Sequence, residues 1–190
     1  MTKQINRNNN QRGYSIVELL ISLSLISIFT AIAAPSMVST YRSYQMDDIA
    51  GQVAGQLKFT RYEAIRRNNP ITCLNKTQNG NLTMFTDDNN DGAVQVSEKQ
   101  IVFNGNSTRV AAATVPSSAA LTAVVNAGTL TTMSPTSGTI TFDGRGAKST
   151  AGITVYWVGN AAYGWRAVTV MPSGSIQVWS YATGTWTQVS

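Results

Sequence analysis

The sequence predicts an α+β protein in which one long N-terminal helix, first apolar and then amphipathic, packs on a C-terminal antiparallel β-sheet or sandwich domain. Three observations carry this expectation. Residues 19–41, 23 in all, contain no charged side chain; Ile49, Val53 and Leu57 then recur every four residues; and after Pro70 the chain breaks into short β-branched and aromatic segments separated by Gly, Asn and Asp, which is the pattern of strands and turns. At 190 residues the chain has room for one sizeable core, or a small core with an appended element.

The first element is read from charge. The net charge is +5, which by itself suggests a nucleic-acid or membrane partner. However, Lys3, Arg7 and Arg12 lie within residues 1–13, a stretch with no acid and with Asn6, Asn8, Asn9 and Asn10; without it, 11 of the 14 bases remain against 9 acids, a net +2. Most of the excess therefore precedes the apolar run. That run begins after Tyr14-Ser15-Ile16-Val17-Glu18, extends from Leu19 to Ala34, and stays uncharged to Tyr41, enough for a helix to cross a bilayer, which takes ~20 residues. Three bases before the span, against Arg42 alone just behind Tyr41, hold the N-terminal side in the cytoplasm. A secretory signal peptide is the competing reading, with Ala31-Ile32-Ala33 as its cleavage site. Glu18 argues against it, because an unpaired carboxylate in the bilayer costs ~2.5–3.5 kcal/mol and so calls for a partner.

Pro35 has no N–H and is expected to kink the helix or open one turn rather than end it, since the pattern resumes downstream. From Asp47 the helix becomes amphipathic: Ala50 and Ala54 lie beside Ile49, Val53 and Leu57, while Asp48, Gln52 and Lys58 face water. Lys58, Arg61, Arg66 and Arg67 weight its end with charge that favours the helix dipole, and Asn68-Asn69-Pro70 stops it. That basic cluster reads as capping and solubility, or else as an interaction surface for protein neighbours or nucleic acid. Strands are expected at Ile71–Leu74, Leu82–Thr86, Gln100–Phe103, Thr139–Phe142, Ile153–Val158, Trp165–Met171 and Ser175–Tyr181. Pro172-Ser173-Gly174 and Ala182-Thr183-Gly184 mark a C-terminal meander of hairpins. Residues 104–138, mostly Ser, Thr, Ala, Val and Gly, read as edge strands and loops, and no internal repeat is present.

The string Arg12-Gly13-Tyr14-Ser15-Ile16-Val17-Glu18-Leu19-Leu20 resembles the class III signal of type IV pilins and type II secretion pseudopilins. The resemblance implies that a prepilin peptidase cuts between Gly13 and Tyr14 and N-methylates Tyr14, and that Glu18 and Pro35 serve assembly. Members more often begin the mature chain with Phe, so Tyr14 is a mild departure. Chemistry agrees: Gly13 offers a protease unhindered backbone, and the Glu18 carboxylate of one subunit neutralises the Tyr14 ammonium of its neighbour, removing two burial costs. Further along, Leu57-Lys58-Phe59-Thr60-Arg61-Tyr62-Glu63-Ala64-Ile65-Arg66-Arg67, Phe85-Thr86-Asp87-Asp88-Asn89-Asn90-Asp91-Gly92, Ile140-Thr141-Phe142-Asp143-Gly144-Arg145-Gly146 and Pro172-Ser173-Gly174 resemble the GspH/FimT branch of minor pilins and minor pseudopilins. The implied organisation is a leader (1–13), a transmembrane and assembly helix (14–41), its amphipathic continuation (42–69) and a β-rich domain (70–190). The implied partners are other pilins or pseudopilins, the prepilin peptidase and the bacterial inner membrane, with the C-terminal domain periplasmic. The implied role is to help initiate or cap a type IV pilus or a type II secretion pseudopilus; the alternative is a filament-borne binding module for DNA or a secreted substrate.

Other candidate sites are narrower. Asp87-x-Asn89-x-Asp91-Gly92, five residues, then Glu98 satisfies the twelve-residue calcium-loop pattern, but strands rather than helices flank it, and the competing reading is a hairpin loop whose Asp and Asn side chains bond their own backbone. No cofactor is required on either reading; Ca²⁺ is the one candidate. For DNA, Arg145, Lys148 and Arg166 with Trp157, Trp165 and Trp179 are candidates for a small phosphate-binding and stacking platform, with core packing the alternative for the tryptophans. The turn Gly174-Ser175-Ile176-Gln177 lacks the arginines of the DNA-binding relatives' Gly-Arg-x-Arg motif. Cys73 reads as a small buried hydrophobe; one cysteine allows no disulfide within the chain. Glycosylation sequons at Asn75, Asn81 and Asn106 are chance matches in an Asn- and Thr-rich chain. With no His, there is no imidazole base or His-based metal site, and Asp143-Gly144-Arg145-Gly146 lacks the strand-to-helix setting of a phosphate loop. The residues point to a building block rather than an enzyme.

Overall fold

A computed structural model describes residues 14–103, 118–125, 130–160 and 163–189. The chain divides into two compact units, residues 1–40 and 41–190. Helix α1, Ile16–Arg67, supplies the regular structure among the described residues of the first and opens the second. Residues 1–13 lie outside the described residues.

In the first unit the α1 side chains from Ile16 to Met37 are exposed, although most are apolar. Four of its hydroxyls turn back onto the helix. Ser22, Ser24, Ser27 and Thr30 each donate to the carbonyl four residues earlier at 2.8 Å, which lets polar side chains sit in an apolar medium without an unmet donor. The helix runs through Pro35 without a break, although the missing N–H there removes one backbone bond.

In the second unit α1 buries Met46, Ile49, Ala50, Val53, Ala54, Leu57 and Ala64, one face at three- and four-residue spacing. It ends in a Schellman turn: Asn68 takes φ 47°, Asn68 N–H reaches Ile65 O at 3.1 Å and Asn69 N–H reaches Ala64 O at 3.2 Å. Pro70 then prevents continuation. By contrast, Gly51 and Gly55 are helix-interior and exposed, with nothing within 4 Å of an added Cβ. Gly51→Ala and Gly55→Ala are each expected to stabilise the fold by about 0.5–1 kcal/mol, read as a rise in the midpoint of urea unfolding; a fall would mean that this face is occupied.

Two sheets complete the second unit. The first contains β1 (Ile71–Gln78), β2 (Asn81–Asp87), β3 (Gln100–Phe103) and β5 (Thr139–Phe142) in the order β3-β2-β1-β5, all antiparallel. The second contains β4 (Leu130–Thr132), β6 (Ile153–Asn160), β7 (Gly164–Val170), β8 (Ile176–Ala182) and β9 (Thr185–Gln188) in the order β4-β6-β7-β8-β9. Its pairings are antiparallel except that β4 runs parallel to β6, so the sheet is mixed where a purely antiparallel one was expected. The buried face of α1 shares one core with Ile71, Cys73, Met84, Ile140 and Phe142 of the first sheet and Tyr156, Val158, Val168, Val170 and Val178 of the second. Strand alternation sends Val155, Trp157, Ala167 and Trp179 to the opposite face, where they meet Trp186 and Leu121.

Leu121 belongs to a short helix, α2 (Ser118–Val124), in the stretch expected to hold only edge strands and loops. The part of that stretch at 104–117 and 126–129 lies outside the described residues. The seven expected strands are all present, three of them longer by two or four residues and two displaced by one; β4 is an edge strand in the stretch expected to hold such strands, and β9 is additional.

Candidate functional site

At the start of α1, Ser15 is the N-cap: its Oγ accepts from Val17 N–H at 3.3 Å and its carbonyl from Leu19 N–H at 3.1 Å. Glu18 therefore stands at N3, in the first turn, where a carboxylate is favoured by the helix dipole. Ser15-x-x-Glu18 is a capping-box pattern legible in the sequence, which gives Glu18 a place in the helix start beside the assembly role. Tyr14 is exposed beside it.

At the other end of α1, three segments that look unrelated in sequence meet. The Asp143–Gly146 turn is closed by Asp143, whose Oδ1 accepts from Arg145 N–H at 2.9 Å and Ala147 N–H at 2.8 Å. Gly146 O accepts from Arg61 Nε at 2.8 Å. A Cβ on Gly144 would lie 2.7 Å from the Asn68 backbone, one on Gly146 2.6 Å from Ile65 Cδ1, and one on Gly174 1.8 Å from Gly146 O. Lys148 N–H reaches Pro172 O at 3.0 Å. The glycines of both turns are thus demanded by contact with each other and with the helix.

The basic cluster at that helix end is tied down. Glu63 accepts from Arg66 at 2.6 Å and from Arg67 at 3.1 Å, and Arg67 also pairs with Asp88 at 2.6 Å. Arg66, seconded by Arg67, holds the Glu63 carboxyl below the usual carboxylate range. These pairs are largely exposed and each is worth at most ~1 kcal/mol. Capping and attachment of the β2–β3 loop is the reading they support.

In that loop, Asp87, Asp91 and Glu98 bring carboxylate oxygens within 4.8 Å of one another, close enough to share one divalent cation. The same oxygens already serve the loop. Asp87 accepts from Asp91 and Gly92 N–H, Glu98 from Asp88 and Gln95 N–H, Asp91 from Ala93 N–H, and Asn89 Oδ1 from Asp91 N–H. Burial, with the Asp87 and Asp88 charges adding to it, raises the Glu98 pKa, whereas the Ala93 N–H lowers that of Asp91. Lys76, on β1, bonds Gly92 O.

The three cations offered as a nucleic-acid surface do not stand together at a surface. Arg166 is buried, its Nε 2.5 Å from Asp47 Oδ1 and its Nη2 2.9 Å from Ser43 Oγ, so it fastens β7 to α1. Lys148 is buried with Nζ 2.8 Å from Thr150 Oγ1, and burial lowers its pKa. Arg145 alone is exposed. Charge reversal at Arg166 would break the Asp47 pair before it reported on any ligand. Of the tryptophans, Trp157 and Trp179 are core residues, their indole N–H groups bonded to Thr132 and Thr169 hydroxyls at 3.2 and 3.0 Å; Trp165 is half-buried beside them. Cys73 is fully buried and its thiol is pushed up to about 12 by that burial, which makes it unreactive at neutral pH.

An exposed apolar helix of membrane-spanning length, continued into an α+β domain whose polar clusters serve its own turns, defines a membrane-anchored, pilin-like protein. Residues 50–174 match the family described as type II transport protein GspH, and residues 8–34 match the prokaryotic N-terminal methylation motif. No curated protein and no solved structure matches the chain. The GspH match spans more than half of the chain, and the chain belongs to that family, a family of structural pseudopilins.

Proposed function

We propose that this chain is a minor pilin or minor pseudopilin subunit, cut by prepilin peptidase between Gly13 and Tyr14 and N-methylated on Tyr14. It is held in the bacterial inner membrane with its N-terminal side cytoplasmic and residues 70–190 periplasmic, and then enters a type IV pilus or type II secretion pseudopilus, where it helps initiate or cap assembly. Residues 1–13 are then the leader, 14–41 the span and assembly helix, and 42–69 its amphipathic continuation. The observation that carries this reading is the exposed apolar helix headed by Glu18 within the matched methylation motif. Its amphipathic continuation builds the domain core, whereas residues 16–37 remain uncovered and want an apolar environment. A DNA or substrate-binding role on the filament draws no comparable support, since Arg166 and Lys148 are taken up inside the domain.

The test is Gly13→Ser in the native host. The variant is expected to remain at precursor mass and be absent from sheared filaments; trimming to wild-type mobility with normal assembly would defeat the proposal. For the Asp87–Glu98 loop, we propose closure by its own amides, with Ca²⁺ not required. Titrating the full chain with Ca²⁺ is expected to give no binding heat at micromolar concentrations. Saturable heat that Asp91→Ala abolishes would reassign the loop as a calcium site.

A further inference from the structure

Two exposed tyrosines follow the span at once. Tyr41 closes the uncharged stretch and Tyr44 lies three residues on; they are 65% and 67% exposed. Three residues apart on a helix, they share a face. Nothing in the core uses them: the buried face of α1 begins at Met46. Between them, Arg42 is the first charge after Glu18, and its guanidinium lies 5.3 Å above the ring of Tyr163, beside the start of β7.

Helical arithmetic gives these residues a depth. A hydrocarbon core of ~30 Å takes roughly 20 residues at ~1.5 Å each. Counted from Leu19, it ends near residue 38. The next few residues fall in the headgroup layer, where tyrosine is favoured because its ring is apolar and its hydroxyl wet. Ser39 and Thr40, at the boundary, have their hydroxyls bonded to Ser36 O at 2.9 and 3.0 Å. An arginine at this level has its charge in reach of lipid phosphate.

We infer that Tyr41 and Tyr44, with Arg42 between them, are the interfacial anchor of this protein: they sit in the periplasmic headgroup layer of a phospholipid bilayer and set the depth of the span. The occupant of this exposed face before assembly is lipid. The inference rests on the membrane placement proposed above.

The test uses the full chain in vesicles of phosphatidylethanolamine and phosphatidylglycerol. Nitroxide labels are placed singly at Ile28→Cys, Val38→Cys, Tyr41→Cys, Tyr44→Cys and Gln52→Cys; buried Cys73 does not compete for the label. Collision with oxygen, which prefers lipid, is compared with collision with a water-soluble nickel chelate. Position 28 is expected to favour oxygen, position 52 the chelate, and positions 41 and 44 to fall between. Tyr41→Ala/Tyr44→Ala is then expected to shift the depth of the position 38 label by roughly 1.5–3 Å, one or two helical rises. If positions 41 and 44 match position 52, or if the double variant leaves position 38 unmoved, the anchor is wrong while the span stands. If position 28 is itself open to the chelate, the membrane placement fails.

Discussion

Gly174→Ala is expected to remove several kcal/mol of stability, although it adds one methyl group. Two costs combine. The residue holds φ 79°, a left-handed conformation that charges an L side chain ~1–2 kcal/mol. The new Cβ would also stand 1.8 Å from Gly146 O, and that oxygen cannot retreat. It accepts from Arg61 Nε at 2.8 Å, and Gly146 itself is backed by Ile65. Relief requires separating the two turns from each other or from the end of α1. Overpacking of a rigid site costs ~1–3 kcal/mol, so the sum is on the order of 2–5 kcal/mol, a large share of the ~5–15 kcal/mol that stabilises a domain. Gly184→Ala is the control, because Gly184 has φ 87° but open space around it; only the backbone cost applies there. Urea unfolding of both variants checks the point. Equal losses would show that the contact among Gly174, Gly146 and Arg61 is not rigid.

Glu18→Ala is expected to leave the subunit folded and membrane-bound but to lower its entry into filaments more than tenfold. Glu18 is the sole charged side chain between Arg12 and Arg42, so its removal does not hinder insertion of the span. The Ser15 cap keeps the first turn formed without it. What is lost lies between subunits: in the proposed filament, the Tyr14 ammonium of the neighbour loses its counter-charge, and breaking a buried pair costs ~3–5 kcal/mol. Tenfold corresponds to ~1.4 kcal/mol, well inside that loss. Glu18→Gln, which keeps hydrogen bonding without charge, is expected to fail nearly as badly. The measurement is the ratio of filament-borne to membrane-borne subunit. Wild-type incorporation of Glu18→Ala would remove the charge-pairing role.

Most of the helix was legible because its signals are local. The absence of charge over residues 19–41 and the spacing of Ile49, Val53 and Leu57 each report on one stretch of chain, and the buried face of α1 contains all three. The strands were legible for the same reason. α2 and β9 were not. Ser118–Val124 is seven residues without a charge, too short to stand as a helix by propensity, and it is accompanied by burial of Leu121 with Trp157, Trp179 and Trp186. Thr185–Gln188 becomes a strand by pairing with β8. Neither cause is written in its own residues.

Side-chain roles divide the same way. Arg166, Lys148 and Arg145 carry equal charge in the sequence, and only packing separates a buried clamp on Asp47 from an exposed cation. The calcium-loop spacing names a set of oxygen donors, and the fold brings Asp87, Asp91 and Glu98 together, yet spacing does not say which hydrogens those donors already hold. The sequence by itself determined the apolar span, its orientation signal, the likeness to pilins and the α+β class, because composition and period act along the chain. The tertiary structure alone decided that Gly146, Gly174 and Arg61 form one junction, that one sheet is mixed, and that most of the candidate DNA-binding cations serve the fold. Those outcomes depend on which distant groups exclude one another's space and satisfy one another's hydrogen bonds, and the order of residues does not state either.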